Sequence, residues 1–399
     1  MRERRVPEPS RMSSRWSATE EFVVRCAQSE VVNPDALVDI ARDSVDWDRF
    51  IETVQQHGTA QLTARTIEEH CAGFTPDRIK SKLAADRHRT ARQNLEYSQS
   101  LIDVCSMLSE NGIPVIPYRG PVLSHMTYDD VSYRTFGDID LLVRRDDIDD
   151  IKRLLHKKGY APFYWLSSTE TLSRTQEWAY TKFCRDYRFR NETGSVMIEL
   201  HWKVLSTDFP TNVTLGSVWD RRENAQIGGQ DIHTLSTEDR LFMLSIHGSR
   251  HNWTRLQWIV DIAELLRTDS VDWSTVLRWA REQNCRRMFA LGPLLANRIY
   301  GTPISSALER QAAADPKLES LCERYRDGLF SDDWKSDDKF LQSQLLDRRR
   351  DQAALWLKWL FKPTQKEIEM ISLPFILLPL YSLIRTGRLC WKGFNSVVK

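Results

Sequence analysis

Apolar residues recur at helical spacing over the first quarter of the chain, give way to short extended runs, and then return to helical spacing. "SATEEFVVRCAQ", "NPDALVDIARD" and "DWDRFIETVQQHG" each start with a polar cap followed by acids in the first turn, which predicts helices. "TPDRIKSKLAADRHRTARQNLEYSQSLIDVCSMLSENG" reads as one long helix closing at Asn111-Gly112. The pattern then shortens. "IPVIPY" (113–118) and "DIDLLV" (138–143) predict two strands, with "VLSHMTY" as a short helix between them. "RRDDIDDIKRLLHKKGY" predicts a helix whose acidic start and basic end match its dipole. A third strand is expected from Tyr160 to about Leu166. "AYTKFCRDYRFR" (179–190) and "SVMIELHWKV" (195–204) read as a hairpin joined by "NETG". From Ser236, capped by itself with Asp239 in third position, the helical period resumes. It continues through "TRLQWIVDIAELLR", "DWSTVLRWAREQN", "RRMFALGPLLANRIYG" and "DQAALWLKWLF".

This order predicts an α+β protein with an α/β core, its helices packed on one face of a mixed sheet. Residues 1–16 are expected to be disordered, 17–110 helical, 111–230 the α/β core, 231–310 a second helical domain and 311–399 a helical extension. Trp253, Trp258, Trp273 and Trp279 fall at helical spacing and are expected between helices.

Composition changes this picture little. The 399 residues are 41% hydrophobic and 28% charged, with a formal net charge of +1. No strongly basic domain stands out, so there is no strong nucleic-acid signature. Seven cysteines without metal-ligand spacing fit free thiols in a reducing compartment. The basic N-terminus has no apolar run behind it, which excludes a signal peptide and points to the cytoplasm. "ISLPFILLPLYSLI" (371–384) is strongly apolar but short and broken by Pro374 and Pro379. It reads either as a buried tail or as a peripheral membrane or protein contact through residues 371–392, beside Arg385, Arg388 and Lys392.

The chemistry concentrates in "RTFGDIDLLV". Asp138 and Asp140 are two apart in a strand and share a face, while Ile139 and Leu141 face the core. Like charges side by side call for a cation between them, and Mg²⁺ suits carboxylate oxygens. Glu199, between Ile198 and Leu200 in "VMIELHW", supplies a third acid. If its strand lies beside 138–143, the three converge and could hold two metals about 3.5–4 Å apart. In the plainer alternative, Asp138 closes the turn after Gly137 and Asp140 faces solvent at a sheet edge. "YRGPVLSH" offers a glycine turn at Gly120 before a helix, with Arg119 as a forked phosphate contact. Arg134 and Ser124 are further nucleotide-binding candidates, as is His201, which shares the face of Glu199. His247 and His251 lie four apart on a predicted helix, without the acid that a zinc-hydrolase pair requires. Asp261, an acid inside "WIVDIAELL", is expected in a buried ion pair with Arg255, Arg250 or a histidine.

Together "YRGPVLSHMTYDDVSYRTFGDIDLLV", "IELHWKV" and "LFMLSIHGSRHNWTRLQWIVDIAELL" resemble the uncharacterised nucleotidyltransferase family of the polymerase-beta-like superfamily. The resemblance runs from about Trp16 to Gly301, and more loosely through "LPFILLPLYSLIRTGRL". It implies a glycine turn at Gly120 that cradles phosphate, and Asp138, Asp140 and Glu199 as metal-holding catalytic acids. Arg119 stands where the family typically has lysine, and Gly-Pro where the superfamily prefers Gly-Ser or Gly-Gly. The implied reaction moves a nucleoside monophosphate from an NTP to a small-molecule or protein acceptor with Mg²⁺ or Mn²⁺, releasing pyrophosphate. Glu199 is then also a candidate base for the acceptor hydroxyl. The rival readings are a non-catalytic nucleotide-binding or antitoxin-like module, a metal-dependent phosphohydrolase, and a membrane-associated assembly factor.

Overall fold

The long helix runs from Asp77 to Glu110 and ends where Asn111-Gly112 turns the chain, Gly112 taking a positive φ of 71°. In this computed structural model, residues 16–128, 130–164, 172–203, 209 and 217–397 are described. The segment 1–15 and the far end of the third expected strand, 165–166, lie outside them.

A mixed sheet forms the centre. Strands β1 (Val115–Pro117), β2 (Ile139–Val143), β3 (Tyr160–Pro162), β4 (Asp186–Asn191) and β5 (Met197–His201) lie in the order β1-β2-β5-β4-β3. β2 and β5 run parallel, and the remaining neighbours are antiparallel. The fold is therefore α+β, with both predicted strands that carry acids side by side. Ile139, Leu141, Ile198 and Leu200 are buried with Tyr97, Leu101 and Val104 of the long helix and with Ile151 and Leu155 of the Ile148–Lys157 helix. The second face is covered as well. Ile116, Tyr118 and Leu142 pack with Leu235 and with Met243 of the Thr237–Arg250 helix. A sheet that buries charged side chains on one face needs a second layer there to supply their partners.

Two elements differ from the sequence expectation. Residues 179–183 are not strand. They complete a helix, Arg174–Phe183, nucleated by a capping box in which Ser173 and Gln176 satisfy each other's backbone N–H groups. Strand β4 begins only at Asp186, and it does form the expected hairpin with β5. A second hairpin, β6 (Glu223–Ile227) and β7 (Gln230–Thr234), turns on Gly228-Gly229. That dipeptide was the available signal for it. The hairpin crosses residue 230, where the core was expected to end, and Thr234 Oγ1 donates to the Pro117 carbonyl at 3.0 Å.

The N-terminal helices and the helices from Thr237 to Phe361 share one apolar core, in which Trp253 is fully buried and Trp258, Trp273 and Trp279 are partly so, while Ile368, Leu373, Leu378 and Tyr381 pack with the sheet. Six cysteines are buried and free, and Cys390 is exposed. No helix among the described residues is long and apolar enough to cross a membrane.

His57 joins the two helical regions. Its Nδ1 accepts from the Leu256 N–H at 3.2 Å, and its carbonyl accepts from the Gln257 N–H at 3.2 Å. Burial, aided by Arg255, lowers its pKa to about 4. A neutral acceptor of this kind stabilises the fold fully above the unfolded value, near 6.5, and loses that contribution as pH falls toward 4. At pH 5 the loss should be about 2 kcal/mol. Urea unfolding should therefore show a pH 7 to pH 5 difference smaller by about that amount in His57→Gln than in the wild type. Equal differences would refute the assignment.

Candidate active site

The parallel pairing of β2 with β5 sets Asp140 directly opposite Glu199, and the antiparallel pairing of β5 with β4 sets Glu199 opposite Arg188. A row of three charged residues thus crosses the sheet on the face away from Ile139 and Leu141. His201 follows on the same face, wholly buried. Its Nε2 lies 2.8 Å from Asp140 Oδ1 and 3.3 Å from Glu199 Oε2, so one imidazole spans both carboxylates. Arg188 Nε donates to Glu199 Oε1 at 2.7 Å. Arg119 Nη2 donates to Asp140 Oδ1 at 2.6 Å, and its Nη1 lies 2.7 Å from His247 Nδ1.

These pairings set the charge states. Burial opposes ionisation of Asp140, but Arg119 and His201 outweigh it and hold the carboxyl below its usual range. Burial likewise opposes ionisation of Glu199, and His201, together with Arg188, brings it down to about 2. Burial works against a charged His201, and the two acids overcome it and raise its pKa. Asp138, half-buried one residue before β2, is pushed up to about 7 by burial and by the Asp140 charge. Burial and the Arg119 guanidinium keep His247 neutral, as an acceptor for Arg119.

The chain around Asp138 is held from several sides. Tyr97 donates to the Gly137 carbonyl at 2.8 Å, Asn94 to those of Val131 and Arg134, and Gln257 to that of Thr135 at 3.0 Å. Gly120 has a φ of 61°, and a Cβ there would meet the Asp138 carbonyl oxygen at 2.5 Å. Only glycine lets the turn after β1 approach β2 so closely. Arg119 reaches Asp140 because of that approach.

Arg134 and Ser124 are placed elsewhere. Arg134 forms a buried double contact with Asp261, Nε to Oδ1 at 3.0 Å and Nη2 to Oδ2 at 3.1 Å, and Tyr128 donates to the same carboxylate at 2.8 Å. Asp261 is thus in a buried ion pair, with a partner that the helical spacing did not suggest. Ser124 is buried and donates to the Val131 carbonyl at 3.0 Å. Sequence reasoning missed Arg185, Arg188 and Arg250. Arg119, Arg185, His247 and Arg250 line one small cleft with Tyr118, Met243 and Ile246. The alternation in "DYRFR" could have marked Arg188, and the i, i+3 spacing of His247 and Arg250 could have marked the cleft wall.

Asp140, Glu199 and His201 offer ligand atoms that all lie within 4.8 Å of one another. Asp140 Oδ2 is buried with no hydrogen-bond partner among the described residues. A buried carboxylate oxygen left without a donor is costly, and a hard cation would satisfy it. The two carboxylates therefore fit a divalent metal, with His201 between them as a cationic hydrogen-bond partner and not a ligand.

A family model described as "Uncharacterised nucleotidyltransferase" matches residues 43–301, more than half of the chain. The match starts later than Trp16 and leaves the 371–384 segment outside it. No curated protein matches the chain. One solved structure, an antigenic nucleotidyltransferase-like protein from Paracoccidioides brasiliensis, is similar at 17% identity and a TM-score of 0.33. That similarity covers 54% of this chain and 97% of that one, and at such a score it carries no argument.

Arg134→Met leaves the Asp261 carboxylate buried without its cation. It should cost about 3–5 kcal/mol of folding free energy, measured by urea unfolding. Adding Asp261→Asn should recover a large part of that loss. A variant as stable as wild type but weakened in nucleotide affinity would instead return Arg134 to the site.

Proposed function

Because the chain belongs to the uncharacterised nucleotidyltransferase family, we propose that it transfers a nucleoside monophosphate from an NTP to an acceptor hydroxyl. The observation that carries this reading is the in-register pair Asp140 and Glu199, with one oxygen of Asp140 buried and unpartnered beside Asp138. Asp138, Asp140 and Glu199 would hold Mg²⁺ or Mn²⁺. The metal supplies charge neutralisation at the triphosphate and orients it. Arg119, Arg185 and Arg250, gathered at the adjacent cleft, favour the negative charge of the phosphates. The acceptor oxygen attacks the α-phosphorus, the bond from that phosphorus to the bridging oxygen breaks, pyrophosphate leaves with the electron pair, and the hydroxyl proton passes to water.

Glu199 suits the role of clamp better than that of base. It is bound to Arg188 and His201, and both partners favour its ionised form. His201 is a positioning residue that draws the two acids together. Arg119 occupies Asp140 in the resting arrangement and is placed to exchange that contact for a phosphate oxygen.

Manganese binding, followed by electron paramagnetic resonance, tests the site without knowledge of the acceptor. Wild type should take up Mn²⁺, and Asp140→Asn should lose it. With Mg²⁺ and each of the four NTPs, pyrophosphate release should fall about a thousandfold in Asp140→Ala. Orthophosphate or free NMP would favour the hydrolase, and nucleotide binding without metal uptake the non-catalytic module.

Arg119→Ala separates the two partners of Asp140. It should tighten Mn²⁺ binding in the absence of nucleotide, because a competing cation is removed, and weaken binding of Mn²⁺–ATP. Weakening of both would show that Arg119 only supports the fold.

A further inference from the structure

The C-terminal helix, Leu380–Val397, is mounted with Arg385 and Arg388 inward. Arg388 Nε donates to Glu367 Oε1 at 2.6 Å, and Glu367 is completely buried. Arg385 is 8% exposed and donates to the Trp359 carbonyl through Nε and Nη2. Apolar side chains point outward. Leu383 and Trp391 are 65% and 69% exposed, and with Leu380 and Gly387 they follow the spacing of one helical face. The turn before the helix, bracketed by Pro374 and Pro379, projects Ile376 at 85% exposure beside Phe375 at 52%. The surface continues onto the α/β core, where Trp178 meets the Phe375 ring edge-on at 5.9 Å and carries Lys182 4.5 Å above it. An isolated exposed leucine needs no explanation, whereas a contiguous apolar face of this kind marks an interaction site.

We propose that this face docks on an anionic lipid surface, lying in the interface without crossing it. Charge selects the occupant. Arg174 and Lys182 are exposed, four residues either side of Trp178 on the Arg174–Phe183 helix at the border of the apolar face, while Arg385 and Arg388 are held inward and no Asp or Glu follows Glu369 in the sequence. Exposed Leu383 and Trp391 on the helix, Phe375 and Ile376 in the turn before it, and Arg174 and Lys182 at the border match a surface lying at the headgroup boundary. A second copy fits less well. A two-fold contact pairs the same patch with itself and would bring its exposed basic border, Arg174 and Lys182, toward a second copy of that border. No helix among the described residues is long and apolar enough to span, which limits the contact to the surface. The proposal is independent of the catalytic reading, since none of these residues belongs to the acid row.

Flotation of the full chain with vesicles tests it, using zwitterionic lipid alone and zwitterionic lipid mixed with an anionic phospholipid. Wild type should float with the anionic vesicles and about tenfold less with the zwitterionic ones. Ile376→Asp combined with Leu383→Asp changes two exposed positions, and its thermal melt should match wild type. That variant should bind anionic vesicles about tenfold less or weaker. Lys182→Glu should reduce binding to the anionic vesicles and leave the melt unchanged. No flotation with either vesicle would overturn the proposal, as would equal flotation of the double variant and wild type. A wild-type dimer that the double variant converts to monomer would overturn it in favour of a second copy.

Discussion

Two carboxylates, Asp140 and Glu199, sit opposite each other on adjacent parallel strands inside a closed layer, and much else in the core answers that constraint. Burying one such charge without a partner costs several kcal/mol, and burying two in contact costs more. Three cationic groups meet the cost: Arg119 from the turn after β1, His201 from β5 and Arg188 from β4. Each arrives from a different element. The row therefore ties β1, β2, β5 and β4 together electrostatically as well as through backbone hydrogen bonds. Replacing the row by apolar residues would suit the fold equally well or better. Its presence in a sheet otherwise filled with isoleucine and leucine is a functional signature in the sense that stability alone does not require it.

The helical regions serve this centre indirectly. The Thr237–Arg250 helix contributes His247, which accepts from Arg119 and so aims the guanidinium at Asp140. The Leu256–Thr268 helix contributes Asp261, whose pairing with Arg134 anchors the loop that delivers Asp138 to the sheet. The N-terminal helices grip the start of that same helix through His57. A chain of contacts thus leads from a residue far from any chemistry to the carboxylates, and the helices act as the scaffold on which the loop and the turn are held.

Much of this was legible in the sequence because it rests on local periodicity. An acid between two apolar residues in a strand has to face away from the core, so Asp140 and Glu199 were identifiable from spacing alone. Their adjacency was not local. It depends on β2 pairing with β5 across more than fifty residues, and the resemblance of three ordered segments to one family carried that step. The failures have physical causes too. "AYTKF" carries the strand-favouring residues Tyr180, Thr181 and Phe183, yet Ser173 and Gln176 start a helix that runs through it. Arg134 stands next to the acid loop in sequence, but a long side chain can turn either way, and Asp261 offers it a buried partner. Arg185 and Arg250 come from elements distant in sequence, and only the packing of the Thr237–Arg250 helix over the sheet brings them to one cleft.

The distribution of charge also explains why the acids are covered by cations. If the site takes a divalent metal as proposed, that metal and the Arg119 guanidinium compete for Asp140. Without nucleotide, Arg119 gains two partners, Asp140 and His247, and the carboxylate row is neutralised from within the protein. On the proposed reading, a triphosphate in the cleft would offer Arg119 a stronger anion than a half-shared carboxylate and would free Asp140 for a metal. Nucleotide and metal would then bind cooperatively by linkage, each raising the affinity for the other. In that arrangement the interaction that stabilises the resting core is the one that binding has to exchange. Tyr118 is part of the same balance, its ring packed edge-on against His201 and beneath the Arg119 guanidinium, so that neither cation moves without disturbing the other.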